Sequence, residues 1–423
     1  MKNGNGGQEP HMFKYFYIRL MLGLLFVCGL PLLLLPAWRH LLPQGQLYES
    51  WNVLLVAFAF VATMLSLRKM NWFPGTRSVL ASIPVLIGWY GVLLGVLMLF
   101  RLNYSIPYLT IGFTLSLLWL MAQAYVLRRS HRMTLAYVSM GRADHVEQIE
   151  GVNWYRLEEP RMPQDVRIDA IVADLHTPHM PDEWQKFLAE CALQHRLVYN
   201  IRQAEESLTG RIKIQHMYEN NLGSLLPSPL YMWIKYLLES VLILLSFPIT
   251  LPIMLVTAIL IKLEDGGSIF FNQERVGYRG KPFKMYKFRS MTENQSVNQQ
   301  QTTSHGDKRI TRIGRFIRKV RIDELPQFFN VLKGDMALIG PRAEYKKFAD
   351  ELSEQVPFYM YRHIVKPGIT GWAQVMYGYA TGADETQVKI EHDFYYIKYF
   401  SFWLDVIIVF KTIRTMLTGF GAR

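Results

Sequence analysis

Four long apolar segments near the start of this 423-residue chain most constrain how it can fold. They cover residues 15–38, 51–67, 79–100 and 105–127. A membrane-spanning helix needs roughly 20 predominantly apolar residues, and each segment approaches that length. The first segment is too long for a signal peptide, and further apolar segments follow it. The pattern therefore predicts four transmembrane helices.

The cations between these segments predict their orientation. They cluster in one connecting loop and directly after the fourth segment, whereas the other two loops carry few. The clustered cations are Arg68, Lys69, Arg77, Arg128, Arg129 and Arg132. Cytoplasmic loops of membrane proteins are enriched in Lys and Arg. The sequence therefore places the N-terminus and everything after Arg128 on the cytoplasmic side.

The composition limits the kinds of molecule that the protein is expected to bind. A net charge of +12 accompanies 50% hydrophobic residues and a mean hydropathy of only +0.08, which indicates a membrane portion joined to a soluble one. The cations suit an anionic bilayer surface and phosphate-bearing substrates. Nucleic acid is not an expected partner, because the chain has no helix-turn-helix or zinc-ligand spacing. Cys28 and Cys191 form no disulfide framework or metal motif.

Residues 133–226 have the pattern of a small α/β unit. Short apolar runs at 134–139, 170–175 and 196–201 predict buried strands, and residues 182–194 predict a helix. The turn after the first strand, around Gly141, lacks the G-x-G-x-x-G spacing, so dinucleotide binding is poorly supported. A regulatory role, a dimerising role and remnant structure all remain open for this unit.

Residues 240–261 form a fifth uncharged segment, which contains Pro248 and Pro252. Lys235 precedes it and Lys262 follows it, so both flanks are basic. Each proline removes a backbone donor and bends a helix. A re-entrant helix that breaks at the prolines would keep both flanks in the cytoplasm. The alternative is a kinked spanning helix, which would place the C-terminal third outside the cell.

The stretch 307–342 carries the strongest chemical pattern. Apolar residues at helical intervals between 310 and 320 alternate with cations, which predicts a basic amphipathic helix at a membrane surface. Asp323 and Glu324 follow it, and Pro326 can start a second helix. Asp323 could simply cap that helix. Arginines surround the acids, however, and this combination suits phosphate and a divalent metal. One acid could attack phosphorus while its neighbour holds the cation.

The regions around this stretch read as parts of the same module. Residues 268–283 predict strand, glycine turn and strand, and alternation at 283–291 predicts a further strand. The glutamine-rich residues 292–307 predict a loop that either closes over substrate or is disordered. Residues 365–375 predict a tight glycine turn close to a ligand. Residues 402–420 are apolar but interrupted by charges, which predicts a helix at the membrane interface.

Five motifs in this C-terminal region occur in the order found in one enzyme family. They are Phe-Phe-x-Gln-x-Arg-Val-Gly, Lys-Phe-Arg-Ser-Met, Asp-Glu-Leu-Pro-Gln, Leu-Ile-Gly-Pro-Arg and Lys-Pro-Gly-Ile-Thr-Gly-Trp-Ala-Gln-Val. Residues 235–423 thereby resemble the polyprenyl-phosphate hexose-1-phosphate transferases, or bacterial sugar transferases. The four preceding helices resemble the large polytopic subgroup that starts exopolysaccharide assembly, such as undecaprenyl-phosphate glucose phosphotransferases.

The resemblance implies transfer of a sugar-1-phosphate from a UDP-sugar to undecaprenyl phosphate, with release of UMP. Asp323 matches the family's nucleophile, which forms a covalent phosphosugar intermediate, and Glu324 matches the acid that holds Mg²⁺. Arg318 and Arg342 match its phosphate-contacting arginines. The weaker candidates for phosphate contact are Lys287 and Arg289, because a strand also carries cations for solubility.

The sugar and the oligomeric state stay open at this point. Many family members continue Ala-Gln-Val with Asn-Gly-Arg, whereas this chain has Met376-Tyr377-Gly378-Tyr379. Glucose or galactose is the favoured sugar, and a homodimer is compatible with the sequence. Two other functions compete with the leading one: a membrane glycosyltransferase that releases UDP, and a non-catalytic membrane assembly or sensing protein.

The expected fold is an integral membrane protein, mainly α with α/β cytoplasmic parts. It comprises a four-helix transmembrane region at residues 1–130 and a degenerate nucleotide-fold (Rossmann-like) domain at 131–228. A proline-broken re-entrant membrane helix at 229–262 and an interfacial catalytic domain at 263–423 complete the chain. The lipid bilayer is an expected partner of both membrane parts.

Overall fold

The computed structural model describes residues 11–32, 49–70, 79–130, 133–149, 151–163, 165–177, 180–214, 226–292, 309–378 and 383–418. The chain divides into two compact units, Met1–Thr209 and Gly210–Arg423. All but the first residue of the predicted loop at 292–307 lies outside the described residues.

The first unit begins with apolar helices. They are α1 (His11–Leu24), which continues into a π-helical turn (Leu25–Gly29), then α2 (Glu49–Met70), α3 (Val79–Leu99) and α4 (Ile106–Ser130). Small residues bring them close together: a Cβ added at Gly112 would lie only 2.7 Å from the Val56 side chain. Trp89 donates a hydrogen bond of 2.8 Å to Ser66, which satisfies both polar groups between α3 and α2.

Among the described residues, four helices are long and apolar enough to cross a membrane. In the first unit they cover Trp51–Met70, Ser82–Leu99 and Ile106–Val126, in agreement with three of the four segments predicted there. The first predicted segment appears as a shorter apolar helix, Phe16–Leu32, and its remainder lies outside the described residues. The fourth helix, Pro229–Asp265, belongs to the second unit.

A parallel sheet with helices follows in the first unit. Its strands are β1 (Thr134–Val138), β2 (Asn153–Leu157), β3 (Ala170–Ala173) and β4 (Val198–Asn200), in the order β2-β1-β3-β4. Its helices are α5 (Asp182–Leu193) and α6 (Ile201–Thr209). Apolar clusters containing Ile171 on one face and Val172 on the other bury both faces of β3. The predicted α/β unit is confirmed, with β2 as an additional strand.

The second unit starts with α7 (Pro229–Asp265), a single helix of 37 residues. The Ser228 side chain accepts a hydrogen bond from the Tyr231 amide at its start, and Gly266, with φ of 71°, ends it. Pro248 and Pro252 both lie inside this helix, which continues on either side of them. The break predicted at the prolines is therefore not a break in helical structure, and the re-entrant course of α7 stays a prediction.

Both halves of α7 pack against other elements of the second unit. Ile243 in the first half joins an apolar cluster with Met285 and Val331. Ile261 in the second half joins another cluster with Ile317. Near the end of the helix, the Glu264 carboxylate accepts a hydrogen bond of 2.8 Å from the Arg312 amide. Both halves of α7 are thus attached to elements that carry the predicted site.

Those elements are short. The strands β5 (Phe270–Val276) and β6 (Pro282–Phe288) form an antiparallel hairpin, and β7 (Ala337–Ile339) pairs in parallel with β8 (Gly368–Thr370). The helices are α8 (Arg312–Lys319), α9 (Gln327–Lys333), α10 (Lys346–Gln355), α11 (Trp372–Met376), α12 (Ala383–Lys398) and α13 (Phe402–Thr418). The helices predicted at 310–320 and 402–420 are confirmed as α8 and α13, and their position at the membrane surface stays a prediction.

Glycines allow the segment that follows β7 and the segment that starts β8 to approach each other closely. A Cβ at Gly368 would lie 2.1 Å from the Gly340 amide nitrogen, and one at Gly340 would lie 2.4 Å from the Lys366 carbonyl oxygen. Such contacts with backbone atoms exclude any side chain at either position. The sequence Ile-Gly-Pro-Arg is thereby held directly against Lys-Pro-Gly-Ile, which brings Arg342 beside β8.

Candidate active site

A short 3₁₀ turn, Ile322–Glu324, presents the acid pair between α8 and α9. Arg321 precedes the turn in the left-handed backbone region, with φ of 61°, and so redirects the chain after α8. At the other end of α8, Thr311 accepts a hydrogen bond of 2.8 Å from the Gly314 amide. The turn holding the acids is therefore fixed by a capped helix and a sharp change of chain direction.

Glu324 is a buried carboxylate held by two cations. Its Oε1 lies 3.4 Å from Lys287 Nζ and 3.3 Å from an Arg321 guanidinium nitrogen. Burial alone would raise the pKa of Glu324, but Lys287, Arg342 and Arg321 outweigh burial and hold it below its usual value. Glu324 is thus ionised at neutral pH and carries a fixed negative charge beside Asp323.

Asp323 differs from Glu324 in both its hydrogen bonding and the direction of its pKa shift. Its Oδ1 is buried and has no hydrogen-bond partner among the described residues. Burial, reinforced by the negative charge of Glu324, raises the pKa of Asp323 to about 6, although Lys287, Arg321 and Arg318 oppose this. An unpartnered carboxylate oxygen with a pKa near neutrality is available for bonding to a substrate atom or a cation.

A small pocket adjoins Glu324, and its lining is rich in cations. The lining residues are Arg275, Met285, Lys287, Glu324, Gln327, Met336, Arg342, Ala343, Gly368 and Ile369. Burial, together with the nearby positive charge of Arg342, lowers the pKa of Arg275 to about 10. Cations that repel one another in a confined pocket indicate a site for an anion, because a bound phosphate would relieve the repulsion.

The structure brings together several of the residues predicted from sequence. Lys287 contacts Glu324, Arg342 lines the pocket, and Arg318 lies close enough to Asp323 to lower its pKa electrostatically. Arg289 is placed elsewhere: its guanidinium forms an ion pair with Asp265, at the end of α7. The phosphate contact predicted for Arg289 stays a prediction, and the ion pair gives this residue a role in fixing the α7–β5 turn.

Arg275 and Gln327 are pocket residues that the sequence did not single out as site residues. Arg275 lies within the Phe-Phe-x-Gln-x-Arg-Val-Gly motif, and Gln327 directly follows the Leu-Pro pair after the acids. Gln327 is also buried, at 3% exposure. Their membership in the motifs was the signal that could have found them, because a buried polar residue in a motif has a partner or a function.

A second buried charged cluster lies behind Arg342. One Arg362 guanidinium nitrogen donates to the Asp393 carboxylate at 2.8 Å and to the Arg342 carbonyl oxygen at 2.9 Å. Glu344 accepts from Lys389 at 2.9 Å. Burial would raise the pKa of Glu344, but Lys389, Arg362 and Arg342 lower it to about 2. This cluster fixes the backbone that carries Arg342.

His363 is buried in the same region and belongs to the structural frame. Its ring packs edge-on against Tyr359, and burial together with Arg362 lowers its pKa to about 3. It is therefore neutral across the physiological range.

The donor atoms at the acid pair fit a magnesium ion. Mg²⁺ prefers oxygen ligands and is commonly held by one or two carboxylates together with substrate phosphates and water. The unpartnered Asp323 Oδ1 and the Glu324 carboxylate supply such atoms. Among the described residues there is no cluster of three or more His, Cys, Asp or Glu side chains that could hold a metal ion.

This fold and site define a membrane protein in which an acid pair and neighbouring cations suit phosphoryl chemistry. The family model for bacterial sugar transferases matches residues 230–419. A relative from Aeromonas hydrophila, named UDP-N-acetylgalactosamine-undecaprenyl-phosphate N-acetylgalactosaminephosphotransferase, is 49% identical over 381 residues, which is 89% of this chain and 90% of the relative. The chain belongs to the bacterial sugar transferase family, as its five motifs predicted.

Other relatives match a shorter region. The UDP-glucose:undecaprenyl-phosphate glucose-1-phosphate transferase of Escherichia coli K12 is 42% identical over 166 residues, 38% of this chain and 35% of the relative. The Caulobacter vibrioides protein of the same name is 40% identical over 170 residues, 40% of this chain and 63% of the relative. The names of these relatives agree with the predicted enzyme class, the polyprenyl-phosphate hexose-1-phosphate transferases.

Proposed function

We propose that this protein transfers a sugar-1-phosphate from a UDP-sugar to undecaprenyl phosphate and releases UMP, as the first membrane step of exopolysaccharide assembly. The observation that carries the proposal is the buried, unpartnered Asp323 Oδ1 beside an ionised Glu324, which itself lines a pocket with three cations. This arrangement supplies a nucleophile and the positive charge that a diphosphate substrate requires.

In the first half of the reaction, an Asp323 carboxylate oxygen attacks the phosphorus attached to the sugar. A bond forms between that oxygen and phosphorus, and the bond between phosphorus and the bridging oxygen breaks. The bridging oxygen leaves with UMP and keeps the electron pair. The product is a phosphosugar joined to Asp323 through an acyl phosphate bond. This covalent intermediate divides the transfer into two steps with lower barriers.

In the second half, a phosphate oxygen of undecaprenyl phosphate attacks the same phosphorus. The new diphosphate bond forms as the bond to Asp323 breaks, which restores the carboxylate. Arg342, Arg275 and Lys287 provide cations for the phosphoryl oxygens, and Arg318 approaches Asp323. Lys287 also keeps Glu324 ionised, so that Glu324 retains its negative charge in both halves of the reaction.

Glu324 would hold Mg²⁺ beside Asp323, and the ion when bound would neutralise charge on the diphosphate. Glu324 is the carboxylate suited to a permanent ligand role, because its pKa is held low. Asp323 is suited to alternate between free and substituted states, because its Oδ1 has no protein partner among the described residues.

We further propose that α7 re-enters the membrane from the cytoplasmic face of the inner membrane. Lys235, near its start, binds Asp405 at 2.6 Å, while Glu264, near its end, binds the Arg312 amide. A spanning helix would separate those ends by about 30 Å of hydrocarbon. Attachment of both ends to one group of elements supports a course within one leaflet. Pro248 and Pro252, each lacking a backbone donor, allow a bend midway.

The outward surface of α7 supports contact with lipid. Its exposed apolar residues include Leu245, Ile249, Leu255 and Leu263. These side chains would destabilise the protein in water, whereas a bilayer covers them. The pocket would then lie at the interface, where a soluble UDP-sugar and a lipid phosphate can meet.

Our proposal for the donor sugar rests on the names of the relatives. The Aeromonas hydrophila relative, which covers nearly the whole chain, is named for N-acetylgalactosamine, whereas the shorter matches are named for glucose. UDP-N-acetylgalactosamine is therefore the first donor to test, before the UDP-glucose and UDP-galactose favoured by the sequence. A homodimer stays a prediction.

The test is nucleotide release by the full-length protein in nanodiscs with UDP-sugar, Mg²⁺ and undecaprenyl phosphate. We expect lipid-dependent UMP, a covalent phosphosugar adduct on wild type, and neither product with Asp323→Asn. The matched control is Asp335→Asn, two residues after the end of α9, which should retain activity. Release of UDP would instead indicate a glycosyltransferase, and wild-type-like turnover by Asp323→Asn would refute the assigned nucleophile.

A further inference from the structure

A buried carboxylate on α7 lies outside the chemistry described above. Glu239 is 5% exposed, although it belongs to the most apolar helix of the second unit. Its Oε1 lies 2.7 Å from Lys235 Nζ, one helical turn earlier. Burying a carboxylate is unfavourable unless partners satisfy it, so its full set of partners shows what it does.

Those partners belong to β7. Glu239 Oε2 accepts a hydrogen bond of 3.0 Å from the Leu338 amide, and Oε1 accepts one of 3.2 Å from the Ile339 amide. One carboxylate thus satisfies two successive backbone donors of a three-residue strand. Hydrogen bonds to an ionised acceptor are stronger than those between neutral groups. This pair therefore anchors β7 to α7.

The anchored strand leads directly to the pocket. Ile339 is followed by Gly340, Pro341 and Arg342, and Arg342 lines the pocket beside Glu324. Only Gly340 and Pro341 separate the anchored residue from that arginine, and the Gly340 amide is itself bonded to the Thr370 carbonyl oxygen at 2.9 Å. A shift of β7 would consequently move Arg342.

A tyrosine hydroxyl also contacts the same strand. The Tyr396 hydroxyl lies within hydrogen-bond distance of two acceptors and can donate its proton to either, to the Asp405 carboxylate at 2.8 Å or to the Ile339 carbonyl oxygen at 3.1 Å. Asp405 also accepts from Lys235 at 2.6 Å. The donors and acceptors of Ile339 are therefore held from α7 through Glu239 and from α12 through Tyr396.

We propose that Glu239 is a positioning residue, which couples the placement of α7 to the position of Arg342 in the pocket. The inference rests on the proposed function, because it assigns Arg342 to the phosphates of the donor. Glu239 touches no reacting atom. It acts through two backbone amides and the two residues that connect them to Arg342.

A double-mutant cycle tests the coupling in the full-length protein in nanodiscs. Glu239→Gln keeps the size of the side chain, but its amide group cannot accept from both backbone donors and loses the charge. We expect kcat/KM for the UDP-sugar to fall by about tenfold or more, mainly through KM. In an Arg342→Ala background the same change should have little further effect. Independent, multiplicative losses would overturn the proposal.

Two companion variants separate positioning from general damage to the helix. Tyr396→Phe removes the hydroxyl beside Ile339 with little change of shape. It should lower kcat/KM for the UDP-sugar in the wild-type background and should have little further effect in the Arg342→Ala background. Thr257→Val alters another buried polar residue of α7, whose hydroxyl bonds only to Ile253 within the helix among the described contacts. Thr257→Val should change kcat/KM only slightly. In the double variant its effect and that of Arg342→Ala should be independent and multiplicative.

Hydrogen–deuterium exchange supplies a readout that does not depend on turnover. The amides of Leu338 and Ile339 should be protected in wild type and should exchange faster in Glu239→Gln, while α9 keeps its protection. Unchanged exchange at these two amides would overturn the proposal. If wild type releases no UMP, the proposed function fails while this measurement still decides the anchoring. If Glu239→Gln does not fold, Tyr396→Phe decides the coupling by the same cycle.

Discussion

Lys287 Nζ lies 3.4 Å from Glu324 Oε1, and this contact places a strand cation against the acid pair. Lys287 is on β6, far from the acids in sequence, and both side chains are mostly buried, at 17% and 11% exposure. The pair keeps Glu324 charged in a place where burial alone would favour its neutral form.

Lys287→Met should therefore destabilise the protein. It leaves the Glu324 carboxylate with Arg321 as its remaining ion-pair partner among the described residues, and a buried charge that loses a partner is unfavourable. We expect a loss of about 1–3 kcal/mol, smaller than for a fully unpaired charge. The measurement is the thermal unfolding midpoint in detergent. Lys284→Met, an exposed position on the same strand, is the control, and equal shifts for both variants would contradict the role of the contact.

The acid limb of the pH–rate profile should report Asp323. Because the pKa of Asp323 is raised to about 6, the carboxylate that attacks phosphorus forms as the pH rises through that value. We expect kcat/KM to be low at acidic pH, to rise with an inflection near 6 and then to level off. A profile without an inflection in that range would argue against Asp323 as the nucleophile.

Glu324→Gln should shift that inflection. The negative charge of Glu324 is one cause of the raised pKa of Asp323, so its removal should lower the pKa and move the limb to more acidic pH. The same variant should need more Mg²⁺ for half-maximal rate, because an amide is a poorer ligand than a carboxylate. The readouts are the pH profile and a Mg²⁺ titration. An unchanged titration would count against a ligand role.

Local patterns were sufficient for much of this fold. The apolar runs at 134–139 and 170–175 predicted β1 and β3, and the alternation of cations with apolar residues predicted α8. In each case the pattern has the period of the element it forms. The strand β2 was missed because Asn153–Leu157 is a half-exposed edge strand, without a continuous apolar run.

Tertiary partners could not be predicted in this way. Lys235 and Glu239 are one turn apart in the sequence, but Asp405 lies 170 residues after Lys235. Nothing local indicates that Glu239 accepts from the amides of Leu338 and Ile339. The acid pair was found because its chemistry is concentrated in adjacent residues, whereas Arg275 enters the pocket only through the folded hairpin.

Arg275→Met should weaken donor binding. Arg275 is held by the Ala343 carbonyl oxygen at 3.1 Å, while its Nε has no partner among the described residues. We expect KM for the UDP-sugar to rise about 10–100-fold, which is the range for losing a charge-assisted hydrogen bond to phosphate. Arg279→Met, at the hairpin turn, is the control. Equal KM values for wild type and Arg275→Met would exclude Arg275 from the phosphate site.

The course of α7 can be tested with a cysteine at Asn272, an exposed residue on β5. If α7 re-enters from the cytoplasm, β5 lies on the cytoplasmic side. A membrane-impermeant maleimide should then label Asn272→Cys in inverted vesicles and leave it unlabelled in intact cells. The native Cys28 and Cys191 are buried, so the parent protein gives the background. Asn103→Cys, between α3 and α4, should show the opposite pattern, because that loop is expected outside. Labelling of Asn272→Cys in intact cells would mean that α7 spans the membrane, and the site would then face away from cytoplasmic UDP-sugars.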